Sequence, residues 1–396
     1  MGFPRPLRWI RRLGWIPAGA ALFACGGAAT APAPAPTPGP TGRFLYAASQ
    51  SGPTIRSWAI DATTGRLTSI GETTLAGGAR AISMVADPSG RFLFVSRASG
   101  RGGIDAFTIN RMSGALALVS GSPFDLDRQA DALVPDRTGR SLLAIRTFNS
   151  LIDTFTIDAT TGALSSRSGD GLFLSVAPAA PALRPDGRFL YFAAADLPRV
   201  ITASIDAAGR LSPGPTIEVE DTVRSLAVDP AGSILYLTTA TPFSSNTLFA
   251  YRITQATGTL TPVTGSVFAT GFDPALSNFR PDAVAFDPVG RFAYVLDRAG
   301  RTGAHSRGVF AFPVQATGVL GPAFLGPYST PPTEPFLNGD PVTFVIDPSG
   351  RFAYLADATS STISVFTVDS GTGALGVSGA PVGAGLTGFP MFAITP

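Results

Sequence analysis

Asp87-Pro88-Ser89-Gly90-Arg91-Phe92-Leu93-Phe94-Val95 (DPSGRFLFV) returns as DPVGRFAYV at 287–295 and as DPSGRFAYL at 347–355. Asp-Pro-x-Gly satisfies a type I turn position by position: Asp can bond backbone at the first place, Pro presets φ at the second, and Gly suits the fourth. After the turn, large apolar and smaller residues alternate, as in a strand packed on both faces. Aligned on the Gly-Arg pair or its equivalent, seven copies begin at Phe44, Phe92, Ser141, Phe189, Ile234, Phe292 and Phe352, with spacings of 48, 49, 48, 45, 58 and 60 residues. A period of this length with several strands per unit marks a propeller or array.

A second phrase falls between successive copies, as in SWAIDATTGRLTSI (57–70), FTIDATTGALSS (155–166) and VFTVDSGTGALGV (365–377). Its Asp-x-x-Thr-Gly ends one strand and opens the next through a short hairpin. Each unit therefore has four strands, exemplified by Ile82–Ala86, Phe92–Arg97, Ile104–Asn110 and Ala115–Ser120. No 3.6-residue apolar period survives after residue 40, so almost no helix is expected. The unit starting at Gly42-Arg43-Phe44 lacks its leading strand, and Phe389–Pro396 reads as a leading strand with nothing after it. A ring in which the C-terminal strand completes the N-terminal blade accounts for both and leaves no open edge. The expected fold is all-β, a seven-bladed β-propeller of four-stranded antiparallel blades over residues 42–396.

Composition agrees: 45 Gly and 35 Pro, 14% charged residues and a mean hydropathy of +0.26 suit a turn-rich β protein. All 29 basic residues are Arg. Arg5, Arg8, Arg11 and Arg12 fall in the leader, and the 25 that remain face 27 acids, which gives no electrostatic footprint for nucleic acid. The leader has a basic region through Arg12 and an apolar run from Leu13 to Ala24. That run is well short of the roughly 20 residues a spanning helix needs, so residues 1–24 read as a signal peptide. Leu22-Phe-Ala-Cys25-Gly26, with the chain's only cysteine, resembles the lipobox of bacterial lipoproteins, in which the cysteine becomes the lipidated N-terminus. A signal cleaved elsewhere is the alternative. Gly26 after the cysteine favours, by that resemblance, the outer membrane of a cell that has one. Arg11-Arg12 reads as a weak twin-arginine signal or as the ordinary charge of a signal peptide's basic region. Residues 25–41, Ala/Pro-rich, form a semi-rigid spacer. The expectation is an extracytoplasmic monomer anchored to the bilayer through Cys25.

The paired phrases D-P-x-G-R-F-x-Y-V and F-x-I-D-x-x-T-G-x-L resemble those of the lactonase-type seven-bladed propellers, similar to bacterial 6-phosphogluconolactonase and fungal carboxymuconate cyclase. The resemblance covers residues 42–396, and its motifs are specific for fold rather than catalysis. In those enzymes a Pro-Arg-His phrase at the start of an innermost strand is thought to handle the lactone and its anionic group. Here Val223-Arg224-Ser225 and Pro281-Asp282-Ala283 occupy such positions. Arg224 matches the family arginine, and no copy keeps the histidine.

The uniform Asp-Pro-x-Gly and Asp-x-x-Thr-Gly turns lie on one face of a propeller. Length variation falls on the other, at 239–247, 264–282, 298–307 and 325–342, and variable loops on a rigid face are where binding usually resides. Arg80, Asp131, Arg224, Arg280, Asp282 and Asp340 open the innermost strands at that channel mouth. Asp131, Asp282 or Asp340 could act as base toward water, and Arg80, Arg224 and Arg280 could stabilise an oxyanion or clamp a carboxylate or phosphate. Alternatively these groups only neutralise one another around a wet channel. His305, the only histidine, lies in a blade insertion and reads as a solvated loop residue.

There is no Gly-x-Ser-x-Gly elbow, His-Glu-x-x-His, P-loop or Asp-x-Asp calcium loop. One histidine and one cysteine leave no transition-metal cluster, and no cofactor is expected. The 28 Phe read as packing between blades, as does Trp58, while Trp9 and Trp15 belong to the leader. The functional expectation is a lipid-anchored lactonase-like propeller that binds a small anionic or sugar-derived ligand, or a partner protein, on the long-loop face. The alternative is a lactone hydrolase with Asp and Arg in place of the family histidine, and a third is an inert structural spacer.

Overall fold

The computed structural model describes residues 42–98, 100, 102–167, 171–239, 247–264, 268–269, 281–297, 308–321, 341–385 and 390–396. All of them fall in one compact unit, Pro40–Pro396. They form seven antiparallel sheets. Blade I joins the C-terminal strand Pro390–Ile394 to Arg43–Ser49, Thr54–Ile60 and Leu67–Thr74. The leading strands of blades II to VII are Arg80–Ala86, Ala132–Pro135, Pro178–Leu183, Val223–Val228, Pro281–Phe286 and Pro341–Ile346. Each leading strand touches the next around a closed ring, so these strands surround the central channel. The only helical turn among the described residues is a 3-10 turn at Ala76–Gly78.

The repeated turn is held by its aspartate. Asp87 Oδ1 accepts the backbone N–H groups of Arg91 and Phe92, both at 2.7 Å, and Gly90 N–H closes the turn onto the Asp87 carbonyl at 2.9 Å. Gly90 has a φ of 66°, which a side chain would strain. Asp136, Asp229, Asp287 and Asp347 repeat the carboxylate bonds. The ring closes by the same chemistry across the chain ends. Thr395 Oγ1 accepts Phe44 N–H at 2.9 Å, and Thr395 N–H donates to the Phe44 carbonyl at 3.0 Å. Thr395-Pro396 thus stands in for the Asp-Pro that blade I lacks.

The aromatic residues after the turn fasten each blade to its neighbour. Phe352 of blade VII lies against Gly65 in the Thr-Gly hairpin of blade I, where an added Cβ would come within 2.3 Å of the ring. Two residues on, Tyr354 donates its hydroxyl to the Gly65 carbonyl at 3.0 Å. Tyr46, Tyr191, Tyr236 and Tyr294 make the same bond to Gly114, Gly258, Gly318 and Gly373. Burial pushes the hydroxyls of Tyr46, Tyr191, Tyr236 and Tyr354 far above their ordinary pKa, keeping them as donors. Seven apolar clusters fill the seven boundaries between blades, and Trp58 is buried in the one that joins blades VII and I.

The four-strand expectation holds in outline, with one refinement. In blades III, V and VII the outer strand is written in two pieces, the second being Leu172–Phe173, Phe268–Ala269 and Val382–Gly383 respectively. In blade VII the break contains Gly379 and Pro381, neither suited to a continuous ladder. Blade VI has three described strands, with a single bridge between Val314 and Leu320 where the fourth would begin.

Candidate functional site

Every described leading strand of blades II and IV to VII slips register near its start. In blade V, Val223 pairs with Thr239 and Ser225 with Thr238, so Arg224 is the extra residue of a β-bulge. In blade VI, Pro281 pairs with Asp297 and Ala283 with Leu296, so Asp282 is the extra residue. A bulge releases one residue from the ladder and re-aims its side chain. These two bulges turn Arg224 and Asp282 toward each other across the blade boundary, and Arg224 Nη1 meets Asp282 Oδ1 at 2.9 Å. Thr238 Oγ1 donates to the Asp282 carbonyl at 3.4 Å and ties the same boundary.

The pair is only partly withdrawn from water, with the Arg224 side chain 38% exposed and that of Asp282 16%. An ion pair so exposed adds only about 0–1 kcal/mol to stability. Its value lies in geometry. The carboxylate holds one edge of a planar, always-charged guanidinium, whose remaining N–H groups are suited to a carboxylate, phosphate or developing oxyanion.

The other candidates are placed differently. Asp131 is in blade III and is exposed. Its Oδ2 accepts Thr147 N–H at 2.8 Å and its Oδ1 accepts Gln129 Nε2 at 3.4 Å, so it braces the end of the neighbouring strand. Arg80 opens the leading strand of blade II, is exposed, and pairs with no acid among the described residues. Arg280, Asp340, His305 and Cys25, with most of the long loops, lie outside the described residues.

Two buried ion pairs were not anticipated. Arg97 stands 3.9 Å from Asp105 in blade II, and Arg146 Nε stands 2.7 Å from Asp153 Oδ2 in blade III. They occupy equivalent sites: each arginine is five residues past the start of the second strand, and each aspartate pairs with the residue three past that start. Desolvation raises the pKa of both carboxyls, against the opposing pull of their arginines. The signal in the sequence was Asp105 and Asp153 at a third-strand position that blades IV, V and VI fill with Ile201, Phe249 and Phe310.

Seven antiparallel sheets in a closed ring define the molecule as a seven-bladed β-propeller. The family model described as "Lactonase, 7-bladed beta-propeller" matches residues 183–388, and the chain belongs to that family. No curated protein is significantly similar in sequence. Among solved structures, a putative 6-phosphogluconolactonase from Bacteroides uniformis is 16% identical, with 90% of this chain and 99% of that one covered and a TM-score of 0.68. A Bacteroides fragilis protein described in the same words is 16% identical, covers 91% and 99%, and has a TM-score of 0.67. The periplasmic gluconolactonase of Pseudomonas aeruginosa is 18% identical, covers 90% and 100%, and has a TM-score of 0.64. At such identities the likeness is one of fold.

Proposed function

We propose that this chain is a lipid-anchored extracytoplasmic propeller whose channel mouth binds a small anionic, sugar-derived ligand, with Arg224 as the residue that clamps its carboxylate or phosphate. The observation that carries the reading is the Arg224–Asp282 couple, two bulge residues from successive blades held 2.9 Å apart with the guanidinium still open to solvent. Family membership supports a sugar-derived ligand, and one relative by fold is named a periplasmic gluconolactonase. Anchoring rests on the lipobox-like LFACG at 22–26 and the Ala/Pro spacer after it.

The same couple favours a second reading, lactone hydrolysis. Asp282 would take a proton from water attacking the lactone carbonyl while Arg224 stabilised the oxyanion, and the ring C–O bond would then break as Asp282 returned that proton to the departing ring oxygen, releasing the hydroxy acid. Proton release from a panel of aldonolactones and aliphatic lactones, with wild-type protein beside Asp282→Ala, separates the two. Saturable binding without turnover is the outcome the binding reading expects. Turnover that Asp282→Ala abolishes would replace it with the hydrolase.

A further inference from the structure

The boundary between blades III and IV departs from the pattern that closes the other six. Elsewhere the residue after the turn is Phe or Ile and packs against a glycine in the next blade's hairpin. In blade III that residue is Ser141, and its hydroxyl is what an added Cβ on Gly209 of blade IV would meet, at 3.2 Å. Two residues on, where five blades place the tyrosine that bonds the hairpin carbonyl, blade III has Leu143. The plug and the clasp are both missing at one boundary. The result is a cleft of about 650 Å³ on the short-turn face, with Ser141 and Leu143 in its wall.

Four arginines line this cleft: Arg137, Arg140, Arg167 and Arg188. Arg137 donates one N–H to the Pro185 carbonyl at 2.8 Å, and Arg167 donates one to the Ala208 carbonyl. The guanidinium of Arg188 lies over the Phe189 ring, and neither it nor that of Arg140 is paired with an acid among the described residues. Three aspartates also line the cleft, and each accepts hydrogen bonds within its own turn. Asp136 accepts Thr138 Oγ1 and the N–H groups of Arg140 and Ser141. Asp186 accepts Arg184 Nη1 and Arg188 N–H, and Asp206 accepts the N–H groups of Ala208 and Arg210. At two other boundaries the arginine after the turn reaches the neighbouring hairpin carbonyl, Arg91 that of Thr160 and Arg351 that of Ala62. Arg140 makes no such bond among the described residues, and its guanidinium is left to the cleft.

We propose that this cleft is a binding site for a small multivalent anion carrying two or more phosphate or carboxylate groups, separate from the channel mouth on the opposite face. Planar guanidiniums converging from two blades match such groups bidentately. A pocket lined by arginine and floored by Ser and Leu would not select a neutral sugar over them.

The test is calorimetric titration of the full chain with pyrophosphate and with citrate at matched ionic strength, one arm reporting phosphate and the other carboxylate chemistry. Wild-type protein should bind at least one of them saturably. Ser141→Phe restores the residue of the other blades and fills the cleft, and it should weaken binding at least tenfold while leaving a cooperative melt. Arg140→Gln with Arg188→Gln should do the same without filling the cleft, which keeps the test decisive if Ser141→Phe folds poorly. Absence of saturable binding to both probes, or equal affinity in wild type, Ser141→Phe and the double arginine variant, would overturn the proposal.

Discussion

Replacing Tyr354 with Phe removes a single oxygen from the boundary where the ring closes. The hydroxyl lies 3.0 Å from the Gly65 carbonyl, both are buried, and the Phe352 ring packed against Gly65 excludes a replacement donor. A buried acceptor left unpaired costs about 1–3 kcal/mol. With roughly 350 residues unfolding at about 2.1 cal/mol/K each, 1 kcal/mol corresponds to about 1.3 °C, so Tyr354→Phe should lower Tm by about 1–4 °C. Tyr46, Tyr191, Tyr236 and Tyr294 make the same bond at four other boundaries, far enough apart for their effects to add. Removing all five hydroxyls should cost about 5–15 kcal/mol, as much as the whole stability of a typical domain. The assay is a denaturant or thermal melt of single and fivefold variants followed by far-UV circular dichroism. A fivefold variant that melts within about 2 °C of wild type would refute the clasp as a source of stability. The converse substitution, Phe94→Tyr, offers a hydroxyl to the Gly162 hairpin that Phe92 already meets, and should raise Tm by about a degree.

Lipid-precursor labelling in cells should modify the wild-type chain and fail for Cys25→Ser; equal labelling of both would remove the anchor from the account. Asp61, Asp158 and Asp369 are held below the ordinary carboxylate pKa, first by the backbone N–H groups of Thr64, Thr161 and Thr372. A lowered folded-state pKa adds stability above the unfolded value, near 4, that is lost as pH falls through the folded value. Asp61→Asn should therefore destabilise at pH 7 and converge with wild type near pH 2, as read by denaturant melts across that range. Asp105 and Asp153, raised chiefly by desolvation, act in the opposite sense, favouring the fold at low pH and losing that contribution as pH rises toward their folded values.

The fold was legible because most repeats write their turn in residues whose chemistry is local: Asp for the N–H groups two to five residues on, Gly for a φ near 66–77° in the turns at Gly90, Gly290 and Gly350. Circular closure was legible from the two incomplete ends, although the role of Thr395 as substitute for the turn aspartate emerged only from its bond to Phe44. The Arg224–Asp282 couple was half legible. Both stand five residues before a turn aspartate, Asp229 and Asp287, so the shared position could be read from the repeat. Their contact across 58 residues of chain depends on bulges that residue type does not announce. The cleft between blades III and IV was written as Ser141 and Leu143, but its meaning depends on knowing that these positions face the next blade's hairpin rather than their own.

The central claim is that Arg224 at the channel mouth holds an anionic sugar derivative. Its most direct test is calorimetric titration of the purified protein with a panel of aldonates and their phosphorylated forms, wild type beside Arg224→Ala. The account predicts a saturable ligand whose Kd rises at least tenfold when the guanidinium is removed, the loss expected of a charge-assisted bond worth about 1.5–3 kcal/mol. An affinity unchanged by Arg224→Ala, or no binding across the panel, would contradict it.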